Sequence, residues 1–227
     1  AMNRLLIVAH HLVIDGVSWR MLLEDFYNIL DDLIHERTVS LSEKSSSFRE
    51  WSTAIKEYAN SHSVYAQLPY WESTIDNYQA LPVDKEPLGA TQQDMVEYKN
   101  VLDEEHTSLL LTEIHKSYAT EINDILLSCL AQTINQWASH TKILIGLEGH
   151  GREDIARHVD ISNTIGWFTN LYPVSLAIEN DISSEHLIKS VKEQLRSIPD
   201  KGLGYGALKY LNSSQEVRDR LSKTPWD

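Results

Sequence analysis

Two apolar runs that each stop at a glycine turn constrain this chain more than any other feature. Leu5–Ile14 is dominated by Leu, Ile and Val and ends at Asp15-Gly16; Lys142–Glu148 ends at Gly149-His150-Gly151. Short apolar runs bounded by turn dipeptides read as buried strands. Met95–Leu102 and Leu171–Ile178 read as further strands. Between them the apolar spacing is helical. One helix runs from a Ser18 cap to Arg37 through Leu22, Phe26, Ile29, Leu30, Leu33 and Ile34. Ser47 and Glu50 have capping-box spacing and open a second helix to Asn60. Val64–Ile75 is helical with a break or fresh start at Pro69, and Glu104–Tyr118 is amphipathic. Asn123 caps a helix reaching Ser139, and Ser184–Ser197 is closed by Pro199. Strands alternating with helices give an α/β fold class.

Composition narrows the function classes. The chain has 227 residues, 42% hydrophobic and 23% charged, which excludes a disordered chain and suits one large domain or two small ones. Its 20 Lys and Arg against 33 Asp and Glu give a net charge of −13, which argues against a nucleic-acid partner because phosphate contacts need a basic surface. A single cysteine, Cys129, excludes an internal disulfide and any cysteine-rich metal site. His10 and His11 interrupt the first apolar run, so no membrane-spanning segment is expected. These features together suit a soluble cytoplasmic protein. Thr38–Ser46 reads as a loop, and Asn77–Asp94, with Pro82, Pro87 and Gly89, as a boundary.

Four stretches can carry chemistry. In His10-His11-Leu12-Val13-Ile14-Asp15-Gly16, adjacent imidazoles on a strand point to opposite faces, which disfavours a metal site built on both. One histidine is expected to face a cavity as an acid or base, the other to bond in the interior. Asp15-Gly16 makes the turn, leaving Asp15 to bond backbone amides or an arginine. The blander reading is a pair of satisfied core histidines. In Gly146–Glu153, Glu148 stands at a strand end beside glycines, where a ligand can approach; the blander reading makes Arg152, Glu153 and Asp154 solvated charges on a turn. The aromatics of Asn163–Val174 line a channel or plug the core. Lys201-Gly202-Leu203-Gly204-Tyr205-Gly206 is superficially similar to a phosphate loop but lacks the Walker spacing and a preceding strand.

His10–Gly16, followed by Val17-Ser18-Trp19-Arg20, resembles the HHxxxDG motif of condensation-type domains in nonribosomal peptide synthetases. Glu148–Glu153 (EGHGRE), Ile165–Val174 (IGWFTNLYPV) and Lys201–Leu211 (KGLGYGALKYL) resemble motifs of the epimerization branch, in family order. The resemblance covers Leu5 to Leu211. It implies a chloramphenicol acetyltransferase-like fold of two lobes flanking a tunnel. It also implies L-to-D inversion at the α-carbon of an aminoacyl or peptidyl thioester, held on the phosphopantetheine arm of a peptidyl carrier domain beside other synthetase domains. By position, His11 matches the catalytic histidine and Glu148 the catalytic glutamate; His10, Asp15 and Gly16 complete the motif, Asp15 structurally. No intrinsic cofactor and no metal are implied.

Family members extend before the HH motif and after the KGLGYG stretch, so the chain is expected to be a piece truncated at both ends. Residues 1–80 are then the remainder of an N-terminal lobe, 81–94 the connection and 95–227 part of a C-terminal lobe. Two alternatives stand beside inversion: an amide-forming condensation domain, and a non-catalytic fragment that docks a carrier.

Overall fold

The computed structural model describes residues 4–41, 43–76, 79–85, 89 and 91–223. Its backbone is mostly helical with one small sheet. The helices are α1 (Gly16–Ile34), α2 (Phe48–Tyr58), α3 (His62–Tyr65), α4 (Leu68–Ile75), α5 (Glu104–Tyr118), α6 (Ile122–Ala138), α7 (Ser184–Arg196), α8 (Leu203–Gly206) and α9 (Gln215–Arg220), with a π-helical turn at Ala207–Leu211. Strands β1 (Lys142–Gly149) and β2 (Asn170–Ala177) pair. They run antiparallel: Ile178 N donates to Thr141 O at 2.9 Å, while Gly149 abuts Asn170.

Local capping explains most helix starts. Ser47 and Glu50 form the expected capping box, with Glu50 Oε2 accepting from Ser47 N at 2.6 Å. Asp103 and Ser183 cap α5 and α7. Several boundaries differ from the sequence expectation. Asp15, not Ser18, caps α1, because its carboxylate accepts the Ser18 amide at 2.7 Å. Glu121 replaces Asn123 at the start of α6. Pro69 sits in the first turn of α4, where its missing N–H costs nothing, so the break falls at Ala66–Gln67.

Two expected strands are absent. Leu5–Ile14 carries no strand, and Leu6 and Val8 are more than four-fifths exposed. Met95–Leu102 is likewise irregular and exposed. A strand exists only by pairing, and among the described residues none lies beside either segment. At the first, the His10 ring supplies the competing bond: Nδ1 accepts from Leu12 N at 3.1 Å and turns His11–Val13 into a 3-10 turn. The α/β expectation therefore holds only to the extent of one two-stranded sheet among helices.

The chain divides into two compact units, one of residues 1–73, 146–173 and 199–227, the other of residues 74–145 and 174–198. In the first, Trp51, Val64, Leu68 and Trp71 from α2 to α4 are buried along with Tyr205 and Leu208. Trp71 and Tyr205 lie 5.5 Å apart, centroid to centroid. Asn212 Nδ2 donates to the buried Ala59 carbonyl at 2.6 Å, and Arg220 grips Glu72 with two bonds of 2.6 Å. In the second, Ile125, Ala131, Leu176, Leu187 and Val191 are buried, and Arg196 Nη1 reaches the buried Asp124 carboxylate at 3.0 Å. Among the described residues no helix is long and apolar enough to cross a membrane.

Trp71 has no exposed surface. Trp71→Ala is expected to cost about 3–5 kcal/mol by urea denaturation. Tyr98→Ala, at a side chain 90% exposed, should stay within about 0.5 kcal/mol.

Candidate active site

The expected site residues lie in the first compact unit. Asp15 is buried, and its position follows from the helix start it caps. Oδ1 accepts from Ser18 N at 2.7 Å and Oδ2 from Phe168 N at 3.1 Å. Its own N–H donates to Gly166 O at 3.0 Å. Ser18, fully buried, completes the seam: Oγ donates to Gly166 O at 2.9 Å and accepts from Gly166 N at 3.1 Å. The start of α1 is thus fastened to residues 166–168 by a ladder of short bonds.

Arg152 closes the same seam. Its side chain is 9% exposed. Nη1 donates to Ile161 O at 2.8 Å, and Nη2 to Ser18 Oγ and Thr164 O, each at 2.9 Å. Nη2 stands 3.5 Å from Asp15 Oδ1, an ion pair longer than the amide bonds to the same carboxylate. The guanidinium carbon lies 4.0 Å from the Phe168 ring centroid, a cation–π contact. Burial alone would raise the Asp15 carboxyl, but the Ser18 and Phe168 hydrogen bonds, with the Arg152 charge, outweigh it and hold it below the usual carboxylate range. The reading of Arg152 as a solvated charge is therefore overturned, since carbonyls and a carboxylate distant in sequence surround it.

Gly151 makes the turn before Arg152 possible. Its φ is +67°, and a Cβ there would lie 1.7 Å from Phe168 O. Gly16 is the first residue of α1, and a Cβ there would meet nothing within 4 Å.

His10 and His11 are both exposed, so neither is a core histidine. The His11 ring meets Trp167 edge-on, centroids 5.8 Å apart. Glu148 is exposed near the end of β1. Glu153, five residues on, is held by Lys201 Nζ at 3.1 Å and lies 3.5 Å from His150 Nε2. Lys201 is the second of three consecutive positive-φ residues, Asp200, Lys201 and Gly202. Tyr58 and Gln67 both bond Asp200 Oδ2 and hold that strained stretch in place. Burial, then the Asp200 carboxylate, push the Tyr58 hydroxyl well above its ordinary pKa. Gly202 packs against the Tyr172 ring, where a Cβ would come within 2.1 Å.

Sequence reasoning missed Trp167 as the neighbour of His11, and Tyr58 and Gln67 as anchors. These contacts join distant segments, and no local spacing announces them. Among the described residues no group of three or more His, Cys, Asp or Glu side chains is placed to hold a metal ion.

The lowered Asp15 carboxyl contributes stability that is present above its unfolded pKa, near 3.8, and lost as pH falls through the lower folded value. In Asp15→Asn an N–H donor faces a backbone donor and Arg152 loses its counter-charge, so we expect a loss of about 3–5 kcal/mol at pH 7. The gap from wild type should narrow as pH drops below 3.8. Urea midpoints at pH 7 and across the acid range check both.

The Condensation domain family matches residues 2–222. The chain is 41% identical over 214 residues to Gramicidin S synthase 1 of Brevibacillus brevis, covering 93% of this chain and 19% of that one. It is 44% identical over 217 residues to Surfactin synthase subunit 2 of Bacillus subtilis (strain 168), covering 95% and 6%. The crystal structure of the epimerization domain from the third module of tyrocidine synthetase B is similar at a TM-score of 0.81 and 40% identity, over 91% of this chain and 46% of that chain. The chain thus spans a small fraction of these curated relatives and under half of that solved chain. The sequence match and the seam that joins its motif stretches lead to one assignment: this chain belongs to the condensation-domain family of nonribosomal peptide synthetases.

Proposed function

We propose that the chain belongs to an epimerization domain that inverts the α-carbon of an aminoacyl or peptidyl thioester held on a carrier domain's phosphopantetheine arm. One observation carries this reading: the 40% identity and TM-score of 0.81 to an epimerization domain, over 91% of this chain. The EGHGRE and IGWFTNLYPV stretches support it over amide formation. With it goes the chloramphenicol acetyltransferase-like, two-lobed architecture.

The chemistry fits the residue types. A thioester acidifies the α-C–H because the electron pair left behind is delocalised onto the carbonyl as an enolate. Inversion needs a base to take the proton from one face and an acid to return one to the other. His11 and Glu148 are the proposed pair. Each accepts the α-proton in one direction of the reversible reaction, and the other donates. After one turnover the substrate has lost one proton and gained another, the base is left protonated and the acid deprotonated, and exchange with solvent resets the pair. Both side chains are exposed, as direct contact with a tethered substrate requires. Asp15 and Gly16 do not touch the substrate in this scheme; Asp15 fastens the segment bearing His11 to the segment bearing Trp167.

Deuterium wash-in at Cα of a carrier-loaded aminoacyl thioester, read by mass spectrometry with chiral separation, tests the reading. Wash-in with mixed stereochemistry is expected, and His11→Ala and Glu148→Gln should each lower it at least about 100-fold. Near-normal exchange in either variant removes that residue from the pair. Amide formation without exchange favours condensation, and carrier binding alone favours a docking module.

A further inference from the structure

Within the first compact unit, α2, residues 167–171 and the stretch from α8 through the π-helical turn enclose a cavity of about 380 Å³. Small-molecule sites have volumes of about 300–1,000 Å³. Phe48, Trp51, Trp167, Phe168, Tyr205 and Tyr210 form its aromatic walls. Its polar lining comes from Ser52, Thr169 and Asn170 together with the tyrosines. Among the described residues no Asp, Glu, Lys, Arg or His lines it. A charged group entering would shed water and meet no charged side chain in the lining, the Arg152 and Lys209 cations lying against the Phe168, Tyr205 and Tyr210 rings, whereas an apolar group would gain by leaving water.

Two features tie the cavity to the proposed chemistry. Trp167 is both a wall and the ring that meets His11 at 5.8 Å. The wall Leu203–Leu211 begins directly after the three positive-φ residues Asp200–Gly202 and ends in the π-helix. Such irregular backbone concentrates at functional sites. Trp167 and Tyr210, 42% and 65% exposed, stand where the cavity meets solvent.

We infer that this cavity receives the side chain of the residue undergoing inversion and selects large apolar side chains, aromatic or branched, over small or charged ones. The inference rests on the epimerization reading and adds to it the class of substrate. Gly206 offers the means to test it. It lines the cavity in a helical conformation, φ −63° and ψ −36°, and a Cβ there would meet nothing within 4 Å. Gly206→Ala therefore adds a Cβ without forcing neighbours apart and, in a helix, favours folding over glycine, while Gly206→Leu extends further into the space.

The test uses this chain with N-acetylcysteamine thioesters of L-phenylalanine, L-alanine and L-glutamate. Two readouts are followed: Cα-deuterium exchange, and the indole N–H resonances of Trp51 and Trp167 on titration. Wild type should prefer phenylalanyl over alanyl at least about tenfold in kcat/KM, with glutamyl below both. Gly206→Leu should reduce that preference about tenfold, with Gly206→Ala between. Equal handling of the three thioesters, or a parallel loss on all of them in both variants, overturns the inference. Should no thioester exchange, the epimerization reading falls by itself, and the resonances then decide. Phenylalanyl-specific shifts at Trp51 and Trp167, weakened by Gly206→Leu, keep the cavity as an apolar side-chain site. Shifts that are absent, or equal for all three, reject it.

Discussion

The buried carboxylate of Asp15 is the interaction on which the site-bearing unit depends. It accepts the Ser18 amide, which starts α1, and the Phe168 amide, 153 residues away. A carboxylate with a single bond in an apolar interior would be costly, and here two amides and the neighbouring Arg152 charge offset that cost. The order of strength follows from distance: bonds of 2.7 and 3.1 Å come from the backbone, and the guanidinium stands at 3.5 Å. The amides do the anchoring, and Arg152 sets the charge balance.

What is held together in this way is a set of segments with chemical content. The chain leading into Asp15 carries His10 and His11. Residues 166–168 carry Trp167, the ring against which His11 packs and one wall of the apolar cavity. Arg152 follows the turn that continues from β1 and Glu148. Glu153, beside it, reaches Lys201 and so links the turn to the strained stretch ahead of the remaining cavity wall. Three stretches separated in sequence thus meet through buried polar bonds and a fourth through the Glu153–Lys201 ion pair, with the proposed acid–base groups left exposed.

Helix positions were legible in the sequence because their causes are local. The Ser47–Glu50 box and the apolar spacing of α5 to α7 need nothing from distant residues. Strands were legible only where a partner exists: Lys142–Glu148 and Leu171–Ile178 pair with each other, while Leu5–Ile14 and Met95–Leu102 have the composition of strands and no pairing strand among the described residues. Asp15 and Ser18 show the same limit within one turn. Either can cap a helix, and what fixes the choice is Ser18 turning to Gly166, 148 residues on. Arg152 reads as a surface charge until its carbonyl partners are known. His11 and Glu148 were named by resemblance; Trp167 and the cavity required the folded chain.

A double-mutant cycle on Asp15→Asn and Arg152→Leu, read by urea unfolding at neutral pH, tests the central claim most directly. If the carboxylate and guanidinium belong to one buried seam, the losses should be non-additive, with a coupling of at least about 1 kcal/mol. Additive losses, within about 0.5 kcal/mol, would contradict it and leave the segments joined by the Asp15 and Ser18 bonds to residues 166–168 without Arg152.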